Sequence, residues 1–226
     1  MNIAFIFARG GSKGIHKKNL QEVGNITLLE HSVQAAKASQ LIDDVIVSTD
    51  DPEIREFALG YGAVCPNLRP KELATDHSPE LLSWKYAIRE YNTRVSVPLK
   101  TFISLPTTAP LRSIPLIDRQ IERFVSSEAD ISFSVTPSDT NPYFNMIEKT
   151  CDGFSLVKPD MVSFRRQDAP LVYKITTCCY VARPDYILKA ENLFDGRIDI
   201  FSVPKANAID IDDELDLAIA NYLWDR

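Results

Sequence analysis

The sequence predicts an α/β fold built on a mostly parallel sheet with helices on both faces. Short apolar segments alternate with segments of helical periodicity along most of the chain. The opening apolar run is nearly continuous, which is typical of a strand buried on both faces. With 226 residues, 45% of them hydrophobic, the chain can bury one core, so we expect a single domain over residues 1–226.

Capping signals mark the first two helices. Thr27 and Glu30 have the spacing of a capping box, so the first helix begins there. Asp50 or Asp51 caps the second helix, which has Pro52 in its first turn. The expected strands are at residues 2–7, 45–48, 63–65, 101–105, 131–135, 176–181, 198–203 and 208–212, and the expected helices are at residues 27–39, 52–61, 79–91, 113–125 and 214–223.

The alternation of strand and helix breaks at residues 137–172. This segment contains prolines and aromatic residues but has no clear helical period. We interpret it as an insertion in the domain, forming a small β-rich arm.

Composition limits the classes of function. The net charge is −6 and the pI is about 5.2, so we expect no nucleic-acid partner. No apolar run could cross a bilayer, and Arg9 follows the first apolar run so closely that a first strand is expected rather than a signal peptide. The four cysteines have no metal-ligand spacing, which favours reduced thiols and a cytoplasmic location.

Residues 8–19, ARGGSKGIHKKN, form a glycine-rich basic loop directly after the first expected strand. Glycine allows backbone N–H groups to approach an anion, and Arg9, Lys13, Lys17 and Lys18 supply positive charge, so the loop is a candidate phosphate site. The alternative is a solvated basic loop. The spacing within residues 8–19 excludes both the dinucleotide-binding fingerprint and the P-loop motif.

Residues 208–212, AIDID, alternate strictly between apolar and acidic residues. In a strand, Asp210 and Asp212 would share one face and could bind Mg²⁺ (or Mn²⁺), which would neutralise phosphate oxygens. The alternative is an edge strand with solvated acids, together with a helix cap from Asp212 or Asp213.

Six stretches resemble one known family in their order along the chain. They are ARGGSKGIHKKN at 8–19, VSTDD at 47–51, RPKELATDHS at 69–78, LPTTAPLR at 105–112, RRQ at 165–167 and DIDDELDL at 210–217. Together they resemble the acylneuraminate cytidylyltransferases, also called CMP-sialic acid synthetases. The resemblance implies a doubly wound, Rossmann-like nucleotidyltransferase domain in which the arm at about 137–172 is a projecting dimerisation segment. It also implies a homodimer that couples CTP to an acidic nine-carbon sugar and releases pyrophosphate.

The resemblance also implies roles for individual residues. The implied nucleotide-binding residues are Arg9, Gly10, Gly11, Ser12, Lys13, Lys18, Asn19, Arg69 and Ser78. The implied sugar-binding residues are Pro106, Thr107, Arg112, Arg166, Gln167 and Lys174. The implied metal ligands are Asp210 and Asp212, and the implied catalytic residues are Arg9, Lys13, Lys18 and Asp210. Arg112 could instead pair with an acidic neighbour, and Arg166 could belong to a solvated arm tip or a dimer contact.

Most departures from the family pattern fall on the sugar side. His16 replaces a proline in the basic loop, and Pro106 stands at a position where many relatives have glutamine. Lys174 replaces an arginine, which keeps the charge but loses the bidentate fork. A legionaminic or pseudaminic type of acid is therefore the expected sugar. Two alternatives are a nucleotidyltransferase of the same fold with another substrate and a non-catalytic relative that binds nucleotide.

Overall fold

The computed structural model describes residues 1–12, 14–163 and 165–225. The first half of the chain contains β1 (Asn2–Phe7), β2 (Glu22–Val23), β3 (Ile26–Thr27), α1 (Leu28–Ala38), β4 (Asp44–Ser48), α2 (Pro52–Gly60), α3 (Glu80–Arg94) and β5 (Thr101–Ser104). The second half contains α4 (Ile114–Val125), β6 (Ile131–Pro137), β7 (Ile147–Thr150), β8 (Gly153–Leu156), β9 (Tyr173–Ala182), α5 (Pro184–Lys189), β10 (Ile198–Ser202) and α6 (Glu214–Trp224).

The central sheet has six strands in the order β10-β6-β9-β5-β1-β4. β1 pairs parallel with both β4 and β5, and β10 pairs parallel with β6. β9 runs antiparallel to its neighbours β5 and β6. The chain leaves β1 on one side towards β4 and returns to its other side as β5. The strand order therefore reverses at β1, and open α/β sheets bind ligands at the carboxyl ends of the strands near such a reversal.

Apolar side chains pack on both faces of this sheet. Ala4 and Ile6 of β1 belong to the core that α1, α2 and α4 cover. Ile3 and Phe5 point to the other face, where α3 and α5 cover them. On that face the rings of Phe5 and Trp84 each lie 4.9 Å from the ring of Phe102. The doubly wound arrangement is confirmed, since helices bury both faces.

Two expected strands differ in the structure. The prediction of a strand at 208–212 is wrong: Lys205–Ala208 form a 3-10 turn and the next residues have no regular structure. The side chain of Ile211 is fully buried and its N–H donates to Thr108 O at 2.9 Å, so packing against a crossing loop produced the apolar alternation. The strand expected at 63–65 is reduced to a bridge between Val64 and Ile46. Pro66 follows it and has no N–H to extend the pairing.

The segment expected to be an insertion lies between the end of β6 and the start of β9. Its strands β7 and β8 pair with each other as an antiparallel hairpin, apart from the central sheet. Large apolar side chains are open to solvent along the segment: Ile147 is 68%, Phe154 73% and Leu171 84% exposed. We call residues 138–172 the arm.

No helix of the described residues is both long and apolar enough to cross a membrane. The four cysteines are free: Cys65, Cys178 and Cys179 are buried and Cys151 is exposed.

Candidate active site

The basic loop, residues 8–19, is held in place by hydrogen bonds to the two neighbouring loops. Gly10 N–H donates to Asp50 Oδ1 at 3.0 Å. A side chain at Gly10 would collide with the carboxylate of Asp51, so glycine is required there. Asn19 joins the loop to the residues after β5, because its Nδ2 donates to Arg9 O at 2.8 Å and its Oδ1 accepts from Thr107 Oγ1 at 2.6 Å.

The basic loop meets the acidic segment, residues 209–212, near the C-terminus. Lys18 Nζ donates to Ile211 O at 2.9 Å and contacts Asp212 Oδ1 at 3.1 Å. Gly14 lies so close to the backbone carbonyl of Asp212 that a Cβ would clash with it. The two charged clusters are therefore brought to one place, although about 190 residues of chain separate them.

Asp210 and Asp212 are in different environments, because the acidic segment is not a strand. The side chain of Asp212 is 74% exposed. Asp210 Oδ1 is buried and has no hydrogen-bond partner among the described residues. No group of three or more His, Cys, Asp or Glu side chains that could bind a metal occurs in the described part of the chain. A buried carboxylate oxygen without a donor, near a second acid, nevertheless fits the pattern of Mg²⁺ sites that use one or two carboxylates and substrate phosphates.

A cleft of about 460 Å³ opens between the basic loop, the loop after β5 and residues 69–83. Residues implied by the resemblance line much of it. These lining residues are Arg9, Gly11, Ser12, Lys18, Asn19, Arg69, Ser78, Pro106, Thr107 and Asp212. Gly10 adjoins the lining residues, and Lys13 lies outside the described residues.

Arg9 crosses the mouth of the cleft to the opposite loop. Its guanidinium forms an ion pair with Asp76 Oδ1 at 2.7 Å, and both side chains are about one-third exposed, at 36% and 35%. Asp76 belongs to the RPKELATDHS stretch, but sequence reasoning assigned it no role. The pair ties the basic loop to the 69–79 loop.

Arg69 and Ser78 lie on the wall of the cleft that residues 69–83 form. Arg69 is 5% exposed, and its guanidinium lies 6.0 Å from the centre of the Phe7 ring. Burial lowers the pKa of Arg69, although the charge of Asp50 opposes the change. Arg69 Nε and Ser78 Oγ are buried polar atoms without hydrogen-bond partners among the described residues.

Glu80 also lines this wall and was missed by the sequence analysis. Its carboxylate accepts a hydrogen bond from Trp84 Nε1 at 3.2 Å. Solvent reaches the side chain from the cleft, but protein atoms surround its other sides, and this partial desolvation raises the pKa of Glu80. The Trp84 hydrogen bond and the charge of Arg69 oppose that rise. At the start of a helix, a glutamate is ordinarily interpreted as a favourable first-turn charge, so no sequence signal set it apart.

Arg112 is not among the residues that line the cleft. It is 7% exposed, and its guanidinium donates to Ala109 O at 2.8 Å and, at short range, to Pro106 O. Burial lowers its pKa, and the nearby carboxylate of Asp210 opposes the change. Arg112 therefore stabilises the loop after β5 through these two hydrogen bonds, and its role towards the sugar stays a prediction. The alternative was that Arg112 pairs with an acidic neighbour. The charge of Asp210 acts on Arg112, but no ion pair joins these two described side chains.

Of the other expected sugar-binding residues, Pro106 and Thr107 line the cleft of about 460 Å³, whereas Lys174 lies at a separate polar cleft of about 230 Å³. Lys174 and Lys205 line it, and Lys205 forms a short ion pair with Asp139. Arg166 Nη2 donates to Asp139 O at 2.6 Å, and Gln167 is exposed on the arm. The described lining residues of this cleft and of the larger cleft do not overlap.

A cleft lined by cations at the carboxyl ends of parallel strands defines an α/β protein of the nucleotide-binding class. Residues 3–207 match the family described as cytidylyltransferase. The chain is 32% identical to the post-translational flagellin modification protein B of Campylobacter coli over 219 residues, which are 96% of this chain and 92% of that protein. It is also 32% identical to the CMP-N,N'-diacetyllegionaminic acid synthase of Campylobacter jejuni, with the same coverage.

This chain belongs to the cytidylyltransferase family. A solved structure of CMP:2-keto-3-deoxy-manno-octonic acid synthetase complexed with CTP has the same fold. The TM-score is 0.72 at 15% sequence identity, and the match covers 99% of this chain and 98% of that chain.

Proposed function

We propose that this protein transfers CMP from CTP to a 2-keto-3-deoxy sugar acid of the nine-carbon, nonulosonic type and releases pyrophosphate. The contact of Lys18 with the backbone of Ile211 and the carboxylate of Asp212 carries the proposal. It brings a phosphate-binding cation and a potential metal-binding carboxylate to the same cleft. Membership of the cytidylyltransferase family supports the nucleotide.

In the proposed reaction, the anomeric hydroxyl of the sugar attacks the α-phosphorus of CTP. The new bond joins the sugar oxygen to phosphorus, the bond to the β-phosphate oxygen breaks, and the hydroxyl proton is lost to a base or to water. Arg9 and Lys18 neutralise charge on the phosphates, and the glycines at 10 and 11 let backbone N–H groups approach them. Such a reaction depends mainly on positioning and electrostatics.

Asp210 and Asp212 are the residues proposed to hold Mg²⁺ (or Mn²⁺). When bound, the metal would neutralise phosphate oxygens and orient pyrophosphate as the leaving group. The buried Oδ1 of Asp210 supports this assignment, because it has no hydrogen-bond donor among the described residues. The carboxylate of Asp212, the second proposed ligand, contacts Lys18 Nζ.

The sugar is proposed to be of the legionaminic or pseudaminic type. A relative that is 32% identical is named CMP-N,N'-diacetyllegionaminic acid synthase. Lys174 at the smaller cleft can attract the sugar carboxylate without the bidentate geometry of arginine. Arg166 and Gln167, at the arm near this cleft, and Pro106 and Thr107, in the larger cleft, are proposed as further sugar contacts.

We propose that the protein works as a homodimer in the cytoplasm, where CTP is available. Isolated exposed apolar residues are normal on protein surfaces, but a contiguous apolar patch marks an interaction site. The exposed apolar side chains of the arm support the dimer, because a second copy could cover them.

The test of the catalytic assignment is Asp210→Asn. The variant keeps the shape of the side chain but removes its charge, so we expect metal-dependent pyrophosphate release from CTP to fall by roughly 10²-fold or more. Asp185→Asn on α5, an exposed carboxylate away from the cleft, is the matched control and should keep wild-type activity. Near-normal turnover by Asp210→Asn would contradict the assignment.

The sugar is tested by measuring CTP-dependent turnover with sialic, legionaminic, pseudaminic and octulosonic acids. We expect product with at least one of the nine-carbon acids. A protein that binds CTP but gives no product with any acid would be a non-catalytic relative. Turnover confined to the eight-carbon octulosonic acid would reject the proposed substrate class.

A further inference from the structure

The wall of the cleft formed by residues 69–83 contains hydrogen-bonding groups that have no partner among the described residues. Arg69 Nε and Ser78 Oγ can donate, and neither has a partner among the described residues. Buried polar groups are almost always hydrogen-bonded, so unpaired donors that line a cleft indicate a ligand with acceptor atoms. Glu80 adds a carboxylate to the same wall.

Glu80 is held in a defined orientation. Its Oε1 accepts a hydrogen bond from Trp84 Nε1, and Trp84 itself is fully buried. The Trp84 ring packs 6.4 Å from the ring of Phe7 and 4.9 Å from that of Phe102. The second carboxylate oxygen, Oε2, makes no hydrogen bond with a described residue and remains available to a ligand.

Arg69 and Glu80 attract each other electrostatically, but no ion pair joins these two described side chains. The wall therefore contains both donors and an acceptor, on residues that line the same cleft. A ligand that complements it needs two acceptors and one donor along one edge. Cytosine has this edge, with acceptors at O2 and N3 and a donor at the N4 amino group, and carboxylates accept from that amino group.

We propose that Glu80 determines the specificity for cytosine over uracil by accepting a hydrogen bond from the N4 amino group. Arg69 and Ser78 donate to the acceptors of the same base edge. Uracil has a carbonyl oxygen in place of the amino group and an N–H in place of N3. Its carbonyl would therefore face the carboxylate of Glu80, and its N–H would face a donor. The inference rests on the proposed function, since it assigns the base half of the cleft to CTP.

The experiment is to measure kcat/KM for CTP and for UTP with the wild type and with the Glu80→Gln variant. Glutamine can keep an oxygen that accepts from Trp84 Nε1, so the fold and the orientation of the side chain are preserved. Its amide can donate to the uracil carbonyl, so we expect kcat/KM for CTP to fall and that for UTP to rise. The CTP to UTP ratio should decrease roughly 10- to 100-fold.

Glu122→Gln is the matched control, because Glu122 is an exposed carboxylate on α4 and does not line the cleft. Its CTP to UTP ratio should equal that of the wild type. A Glu80→Gln variant that loses activity equally with both nucleotides, or that keeps the wild-type ratio, would overturn the proposal. Equal losses would indicate a structural role for the side chain.

Dissociation constants for CTP and UTP, measured by calorimetry on the same three proteins, separate this inference from the proposed reaction. Suppose that the wild type shows no turnover with any sugar acid but binds CTP more tightly than UTP, and that Glu80→Gln removes this preference. The proposed reaction is then wrong, and the proposed role of Glu80 stands. If Glu80→Gln binds the two nucleotides with the wild-type preference, the role of Glu80 is wrong whatever the turnover.

Discussion

Lys18 is the side chain through which the two halves of the cleft meet. Its Nζ contacts the backbone and the carboxylate of the acidic segment, and its side chain is only 18% exposed. The neighbouring Lys17 pairs instead with Glu53 at 2.6 Å and does not line the cleft. Two adjacent lysines thus have separate roles, although the sequence places both in the same basic loop.

This difference predicts unequal effects of the same substitution. Lys18→Met should lower the rate of pyrophosphate release from CTP roughly 10²- to 10³-fold, because a preorganised cation near the phosphates is lost. Lys17→Met removes a surface ion pair, which contributes little, so its activity should stay close to that of the wild type. Steady-state kinetics on both variants check the prediction. Equal activities of the two variants would contradict it.

Some site residues could be predicted and others could not. Arg9 and Lys18 lie in a glycine-rich basic loop typical of anion binding, Arg69 and Ser78 were implied by the family resemblance, and all four line the cleft. The sugar-binding role of Arg112 was implied by the resemblance of the LPTTAPLR stretch to the family pattern. In the structure, the guanidinium of Arg112 donates to two backbone carbonyls of its own loop. Only the path of that loop brings these carbonyls within reach.

Among the elements, α6 docks on the first part of the chain through an aromatic contact. The ring of Trp224 lies 4.7 Å from the ring of His31 in an edge-on arrangement. His31 Nε2 donates to Val23 O at 2.8 Å, and the side chain is buried in α1, so this histidine has a structural role. Gly24 has φ +61° and contacts the indole closely, so a side chain there would clash.

Burial lowers the pKa of His31 from its ordinary value of 6.5, despite the hydrogen bond to Val23. The folded state therefore favours the neutral imidazole, and the unfolded state takes up a proton first as the pH falls. The free energy of unfolding should decrease as the pH drops below 6.5, until the folded-state pKa is reached.

The substitution His31→Gln keeps a donor for Val23 O but removes the titration. Urea unfolding at pH 7.5 and 5.5 should show a smaller loss of stability on acidification for this variant than for the wild type. The difference between the two losses is the contribution of His31. Identical losses in the two proteins would show that the histidine does not titrate differently on folding.

At the scale of the whole molecule, the arm interrupts the domain between β6 and β9 and leaves large apolar side chains in solvent. Phe154 is 73% exposed on the β7–β8 hairpin. If a second copy covers this surface, a charge there would have to be desolvated without a partner at the interface, which is costly.

The substitution Phe154→Asp should therefore shift the protein from dimer to monomer, as measured by light scattering over a range of concentrations. Val97→Asp is the control, because Val97 is 47% exposed in the chain before β5, outside the arm. It should keep the wild-type mass. A wild-type protein that is monomeric throughout, or a Phe154→Asp variant that remains a dimer, would contradict the arm as dimer interface.

The sequence by itself determined the alternation of strands and helices, the capped starts of α1 and α2, and the basic loop after β1. These features depend on local periodicity and on residue types with strong conformational preferences, so they are visible within short windows. Only the tertiary structure decided that the acidic segment crosses the loop after β5 instead of joining the sheet, because a buried Ile211 is compatible with either course.

The tertiary structure also decided which polar groups face the cleft. Glu80 and Asp76 lie there because α3 and the 69–79 loop pack beside β1, and the sequence context of Glu80 is that of an ordinary first-turn helix acid. The physical reason is that a site consists of contacts between residues far apart in the chain. The direction of a side chain across such a contact depends on how whole elements pack, which local patterns do not specify.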